Sequence, residues 1–177
     1  EPPRPPTPAG DPLGEARTLQ ATGRDAEAVQ LLRDLVGTTT DATGGRGARS
    51  VDALLLLARA LANLGRLGEA LDWCDRAVAL AKMDPATHLL RATVLQERGD
   101  LQVAAESFRR ALYLDPQCVL AHFSLANLAR QRNDRAGTLK HLSNVRSLLR
   151  NVEPDAEIPL FDGMTAGRLA RIVEAST

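Results

Sequence analysis

Along most of this chain, apolar residues recur with the three-to-four-residue spacing of helices buried on one side. Leu54, Leu57 and Leu61 share one such face, Leu142 and Val145 share another, and Leu169, Ile172 and Val173 form a stripe near the C-terminus. Between these runs stand turn residues at regular intervals. Gly65 in LGRLGEAL, Gly99 in RGDLQVAA and Asn133 in RNDRAGTL are separated by 34 residues each time. Other columns keep the same period: Ala70 with Ala104, Ala77 with Ala111, Ala58 with Ala92 and Ala126, and His88 with His122. Each period predicts one helical hairpin. Glycine or asparagine lets the chain leave the first helix in a left-handed conformation, alanines allow the two helices to approach closely, and large apolar residues fill the space beside them.

A 34-residue period with a small residue in mid-repeat resembles the tetratricopeptide repeat. The stretch from Pro85 to Cys118 carries the pattern best, with Ala92, Leu95, Gly99, Ala104, Phe108, Ala111 and Pro116 in the family columns, while Arg91 stands where leucine is usual. The resemblance implies an all-α, right-handed superhelix of about four hairpins plus a C-terminal capping helix. The hairpins are expected over residues 13–36, 51–84, 85–118 and 119–150. Asp84 should cap a helix that starts at Pro85. The first hairpin is the least regular: Gly23, Ala28 and Leu32 fit, whereas Glu15 occupies an apolar column and Pro12 shortens the leading helix. Gly23 and Gly65 are 42 residues apart, so eight residues are inserted, and the polar tract 37–50 is expected to form a loop. Residues 1–12, with six of the ten prolines, read as an extended linker. Residues 151–177 read as a linker and a capping helix that begins after Thr165.

Composition agrees with an all-helical fold. Alanine occurs 28 times and leucine 29, against 12 isoleucines and valines together and five aromatics, a balance that disfavours a β-sandwich or a parallel sheet. Twenty-two basic and 22 acidic residues cancel, so global charge points to neither nucleic acid nor a membrane surface. No apolar run reaches membrane-spanning length and residues 1–10 lack the apolar stretch of a signal peptide, so a soluble, cytoplasmic protein is expected. Locally the charge is uneven. Residues 119–150 carry six basic groups and one acid, net +5, whereas residues 151–177 carry five acids and two arginines, net −3. Glu153, Asp155 and Glu157 are placed either to fold back on the basic hairpin or to leave it open to an acidic partner.

Candidate chemistry is sparse. Cys74 and Cys118 have neither metal spacing nor a disulfide framework, and Gly44-Gly45 is no phosphate loop because no strand precedes it and no GK[ST] follows. His88 and His122 read as packing residues and His141 as a surface residue. No catalytic, cofactor-binding or metal site is expected. Binding residues are expected on the concave face that tetratricopeptide arrays present, from the first helix of each hairpin: Leu13, Arg17, Asp52, Leu55, Arg59, Asn63, Leu89, Thr93, Phe123, Asn127 and Arg130. The basic fourth hairpin adds Arg135. This mixture of apolar anchors and polar groups suits a protein or peptide partner.

The segments RRALYLDPQCVLAHFSLANLAR and LFDGMTAGRLARIVEA resemble the C-terminal extension of CheR-type chemoreceptor methyltransferases of the Wsp and Frz kind, over roughly residues 50–176. Asp162–Leu169, DGMTAGRL, is the most discriminating part. The resemblance implies a non-catalytic module that regulates or targets such an enzyme in a bacterial chemosensory pathway, with a chemoreceptor or another chemosensory protein as partner. S-adenosylmethionine would belong to the enzyme's own domain, and no residue of this chain is assigned to it. The alternative is a free-standing adaptor or chaperone-like scaffold of another pathway.

Overall fold

The computed structural model describes residues 11–40, 47–158, 161 and 163–176. Among the described residues the chain is all-helical: α1 (Pro12–Ala21), α2 (Asp25–Thr40), α3 (Gly47–Asn63), α4 (Leu67–Leu80), α5 (Pro85–Arg98), α6 (Leu101–Leu114), α7 (Val119–Gln131), α8 (Arg135–Leu149) and α9 (Ala166–Ala175). Helices α1/α2, α3/α4, α5/α6 and α7/α8 pack as successive hairpins. They fall into two compact units, Glu1–Lys82 and Met83–Thr177.

The hairpin corners repeat bond for bond. Gly23, Gly65, Gly99 and Asn133 adopt positive φ of 73°, 73°, 93° and 57°. At each corner an amide just past that residue donates back to the preceding helix: Arg24 to Leu19, Arg66 to Leu61, Asp100 to Leu95 and Asp134 to Ala129, at 2.8–2.9 Å. These bonds satisfy carbonyls that a helix end leaves open. On the other side of the turn, Asp134 accepts from the Gly137 amide at 2.8 Å and so caps α8. Asp84 likewise accepts from the Ala86 amide at 2.9 Å, with Pro85 in the first turn of α5.

Small side chains sit where helices meet. Ala58, Ala70, Ala77, Ala92, Ala104, Ala111 and Ala126 are all fully buried, and Leu57, Leu61, Leu95 and Phe108 fill the volume beside them. Arg91, in the usual leucine column, stays half-buried and donates to the Ser107 hydroxyl at 2.7 Å, so the hairpin accommodates it through a hydrogen bond to α6.

Two boundaries differ from the expectation. The loop expected over 37–50 is shorter at both ends, because α2 continues to Thr40 and α3 begins at Gly47. Continuing each helix pairs backbone groups that a loop would leave to solvent. Residues 41–46, like residues 1–10 of the expected linker, lie outside the described residues. Pro12 belongs to α1, where its missing amide and fixed φ suit the first turn.

The C-terminal segment closes the second unit. Ala126, Leu142, Val145 and Leu149 form one buried cluster with Ile158, Ala166, Leu169 and Val173, and Phe123, Phe161 and Met164 pack on it. Thr165 accepts from the Arg168 amide at 3.3 Å and starts α9. Gly163 turns the chain with φ 68°. Gly167 donates to the Pro154 carbonyl at 2.8 Å, and a Cβ there would lie 3.1 Å from Pro154. Three residues of DGMTAGRL therefore have backbone roles: a left-handed turn, a helix cap and a close approach.

Candidate functional site

In the first unit, α1 and α3 place Arg17 and Asp52 in a 3.6 Å ion pair, both about half exposed. Such a pair contributes little to stability, so both groups remain accessible to a partner. The Asn63 amide donates to the Asp25 carboxylate at 3.0 Å. Leu55 and Arg59 are half-buried, whereas Leu13 is buried in the core of this unit.

In the second unit the expected residues separate into two groups. Leu89 is buried at 5% exposure, and Thr93 donates to the Leu89 carbonyl at 3.1 Å. Phe123 is half-buried, its ring 5.8 Å from that of Phe161. These side chains are engaged within the fold. Asn127, Arg130 and Arg135 lie instead toward the α7–α8 turn, where Asn127 accepts from Arg130 at 3.2 Å. Arg130 and Arg135 line one cavity of about 270 Å³ together with Asn133, Asp134, Thr138, Leu139 and Ser176. The two arginines are close because the left-handed turn at Asn133 reverses the chain within five residues.

Two features are not foreshadowed by the sequence pattern. A cavity of about 470 Å³ between α2 and α4 is lined by Arg33, Val36, Gly37, Glu69, Asp72, Trp73 and Arg76, with the Arg76 guanidinium 4.4 Å from the Trp73 ring centre. Glu69 accepts ion pairs there from Arg33 at 2.7 Å and Arg66 at 2.6 Å. The only prior signal is the single tryptophan. The second feature corrects the placing of His141 at the surface: it is half-buried, and its Nδ1 lies 3.0 Å from Nδ1 of the buried His122. His122 Nε2 is 3.1 Å from the Pro116 carbonyl, which can only accept, so Nε2 carries the proton. His122 Nδ1 is then the acceptor and His141 Nδ1–H the donor. Burial lowers both imidazole pKa values; the partner ring, Lys140 and Arg109 lower that of His141 further, while Asp134 opposes them.

Cys74 is buried and Cys118 half-buried, with burial raising the Cys118 thiol pKa, so Cys118 is not an activated thiolate. Among the described residues no group of three or more His, Cys, Asp or Glu side chains could hold a metal ion, and no helix is long and apolar enough to cross a membrane.

The tetratricopeptide-repeat family profile matches residues 13–85 and 89–137. The chain belongs to the tetratricopeptide-repeat family. No curated protein matches it in sequence. Among solved structures it is similar to MamA, with a TM-score of 0.68 and 18% identity over 78% of this chain and 77% of that one. It is also similar to YrrB, described as a TPR protein with an unusual peptide-binding site, with a TM-score of 0.62 and 19% identity over 80% of this chain and 69% of YrrB. The Yersinia enterocolitica type III secretion translocator chaperone SycD gives 0.60 and 19% identity over 73% and 88%. At these identities the likeness shows the fold. As a member of the tetratricopeptide-repeat family the chain is a protein-interaction module, and its candidate contact residues occupy the α1/α3 surface of the first unit and the α7–α8 turn of the second.

Proposed function

We propose that this tetratricopeptide-repeat array regulates or targets a CheR-type chemoreceptor glutamate methyltransferase in a bacterial chemosensory pathway. The observation that carries the reading is the tail LFDGMTAGRLARIVEA, which resembles the end of such enzymes and lies beyond the residues matched by the general repeat profile. Within that string Gly163 makes the turn, Thr165 caps α9 and Gly167 allows the close approach to Pro154. The array supplies contacts with a chemoreceptor or another chemosensory protein. Methyl transfer from S-adenosylmethionine belongs to a catalytic domain elsewhere.

The test is methyl transfer to receptor glutamates by the full protein carrying this array, compared with the protein lacking residues 13–176. Loss of the array should change which glutamates are methylated or how fast, and leave S-adenosylmethionine affinity intact. A full protein that neither binds S-adenosylmethionine nor methylates a receptor would overturn the reading. It would favour a free-standing adaptor or chaperone, the second of these being the role of SycD.

A further inference from the structure

We propose that the cavity at the α7–α8 turn docks an acidic segment of a partner protein, with carboxylates on Arg130 and Arg135 and an aliphatic side chain on Leu139. The inference rests on the interaction-module reading and names the chemistry of the partner. Arg17, Arg24, Arg33, Arg66 and Arg98 each pair with a carboxylate of this chain. Arg130, Arg132 and Arg135 have no such partner among the described residues; Arg130 is held only by the neutral Asn127 amide. Asp134, the one acid in this hairpin, already accepts from the Gly137 amide through its carboxylate and from Thr138 through its carbonyl. The tail does not neutralise the turn either, since Glu153, Asp155 and Glu157 are exposed and make no ion pair among the described residues.

Three arginines thus fall within six residues, and two of them line a cavity of about 270 Å³ whose apolar contribution is Leu139, 42% exposed. Planar guanidinium groups match carboxylates in pairs of parallel hydrogen bonds. A neighbouring exposed leucine gives an aliphatic side chain somewhere to pack. A nucleic acid fits less well: the lining has no aromatic side chain on which a base could stack, and the adjoining tail is acidic.

Two fluorescein-labelled probe peptides test the proposal, one of repeated Glu-Glu-Leu and one of repeated Gln-Gln-Leu. Each is titrated into the 177-residue chain by anisotropy and by amide NMR shifts. The acidic probe should bind, shift the signals of Asn133, Thr138 and Ser176, and weaken as salt rises. The glutamine probe should not bind. Arg130→Glu with Arg135→Glu should weaken the acidic probe by about tenfold or more at low salt, and Leu139→Ser should weaken it without removing the salt dependence. Unchanged affinity in the double variant, or shifts confined to other helices, overturns the docking site. So does tighter binding of a single-stranded oligonucleotide lost in the same variants. If the probe docks here while the full protein shows no receptor methylation, the methyltransferase reading fails and the docking site stands.

Discussion

Gly99 and Asn133 occupy equivalent left-handed corners 34 residues apart, and they show how a single residue type sets the repeat. Nothing lies within 4 Å of a Cβ added at Gly99, so Gly99→Ala meets no clash and isolates the backbone term. Holding an L-residue at φ 93° should cost about 1–2 kcal/mol, read as a lower urea midpoint with an unchanged m-value. The glycine and asparagine columns were legible because a left-handed turn needs a narrow choice of residue. The partner of His141 was not. Its own helix gives no hint of burial, and only the antiparallel packing of α8 on α7 brings it to His122, 19 positions earlier.

At the scale of elements, the alanine columns let helices touch. Ala104, on α6, is fully buried, and Ala104→Leu should destabilise by about 1–3 kcal/mol, since added methylenes force the hairpin apart. Phe123→Ala, measured alongside, reports on the tail that its ring touches through Phe161. A urea midpoint left unchanged by Ala104→Leu would contradict the close approach. The α7/α8 hairpin also carries a pH dependence. His122 and His141 are depressed in the folded state, so the unfolded chain binds more protons once pH falls below their ordinary value of about 6.5. Their contribution is fully present above that value and declines as pH falls below it toward their folded pKa values. Chemical denaturation between pH 7.5 and 5 should show this decline, and His122→Gln with His141→Gln should flatten it. A double variant with the original slope would place the titration elsewhere.

At the scale of the whole molecule, two helical units carry a basic turn and an acidic tail on the second. The hairpin architecture was readable because each repeat restates the same packing. The tail was readable only as a stripe and a cap, since its fit depends on the Pro154–Gly167 approach and on Phe161 reaching Phe123. The two cavities were beyond a linear reading because their walls come from distant positions, such as Arg33 with Trp73 and Arg130 with Ser176. Deleting residues 164–177 uncovers Leu142, Val145 and Leu149. Each large side chain returned to water forfeits about 1.5–3 kcal/mol, so Tm should fall by roughly 5 °C or more. An unchanged melt would mean that the tail is no cap.

If this array steers a methyltransferase, the contacts at its basic turn should decide which glutamates are modified. The direct measurement is the pattern of receptor glutamates methylated by the full protein carrying Arg130→Glu and Arg135→Glu, with helicity checked by circular dichroism and S-adenosylmethionine affinity measured in parallel. The predicted result is an altered pattern, with fold and cofactor affinity retained and the difference shrinking as salt rises. An unaltered pattern at low salt in a correctly folded double variant would contradict it.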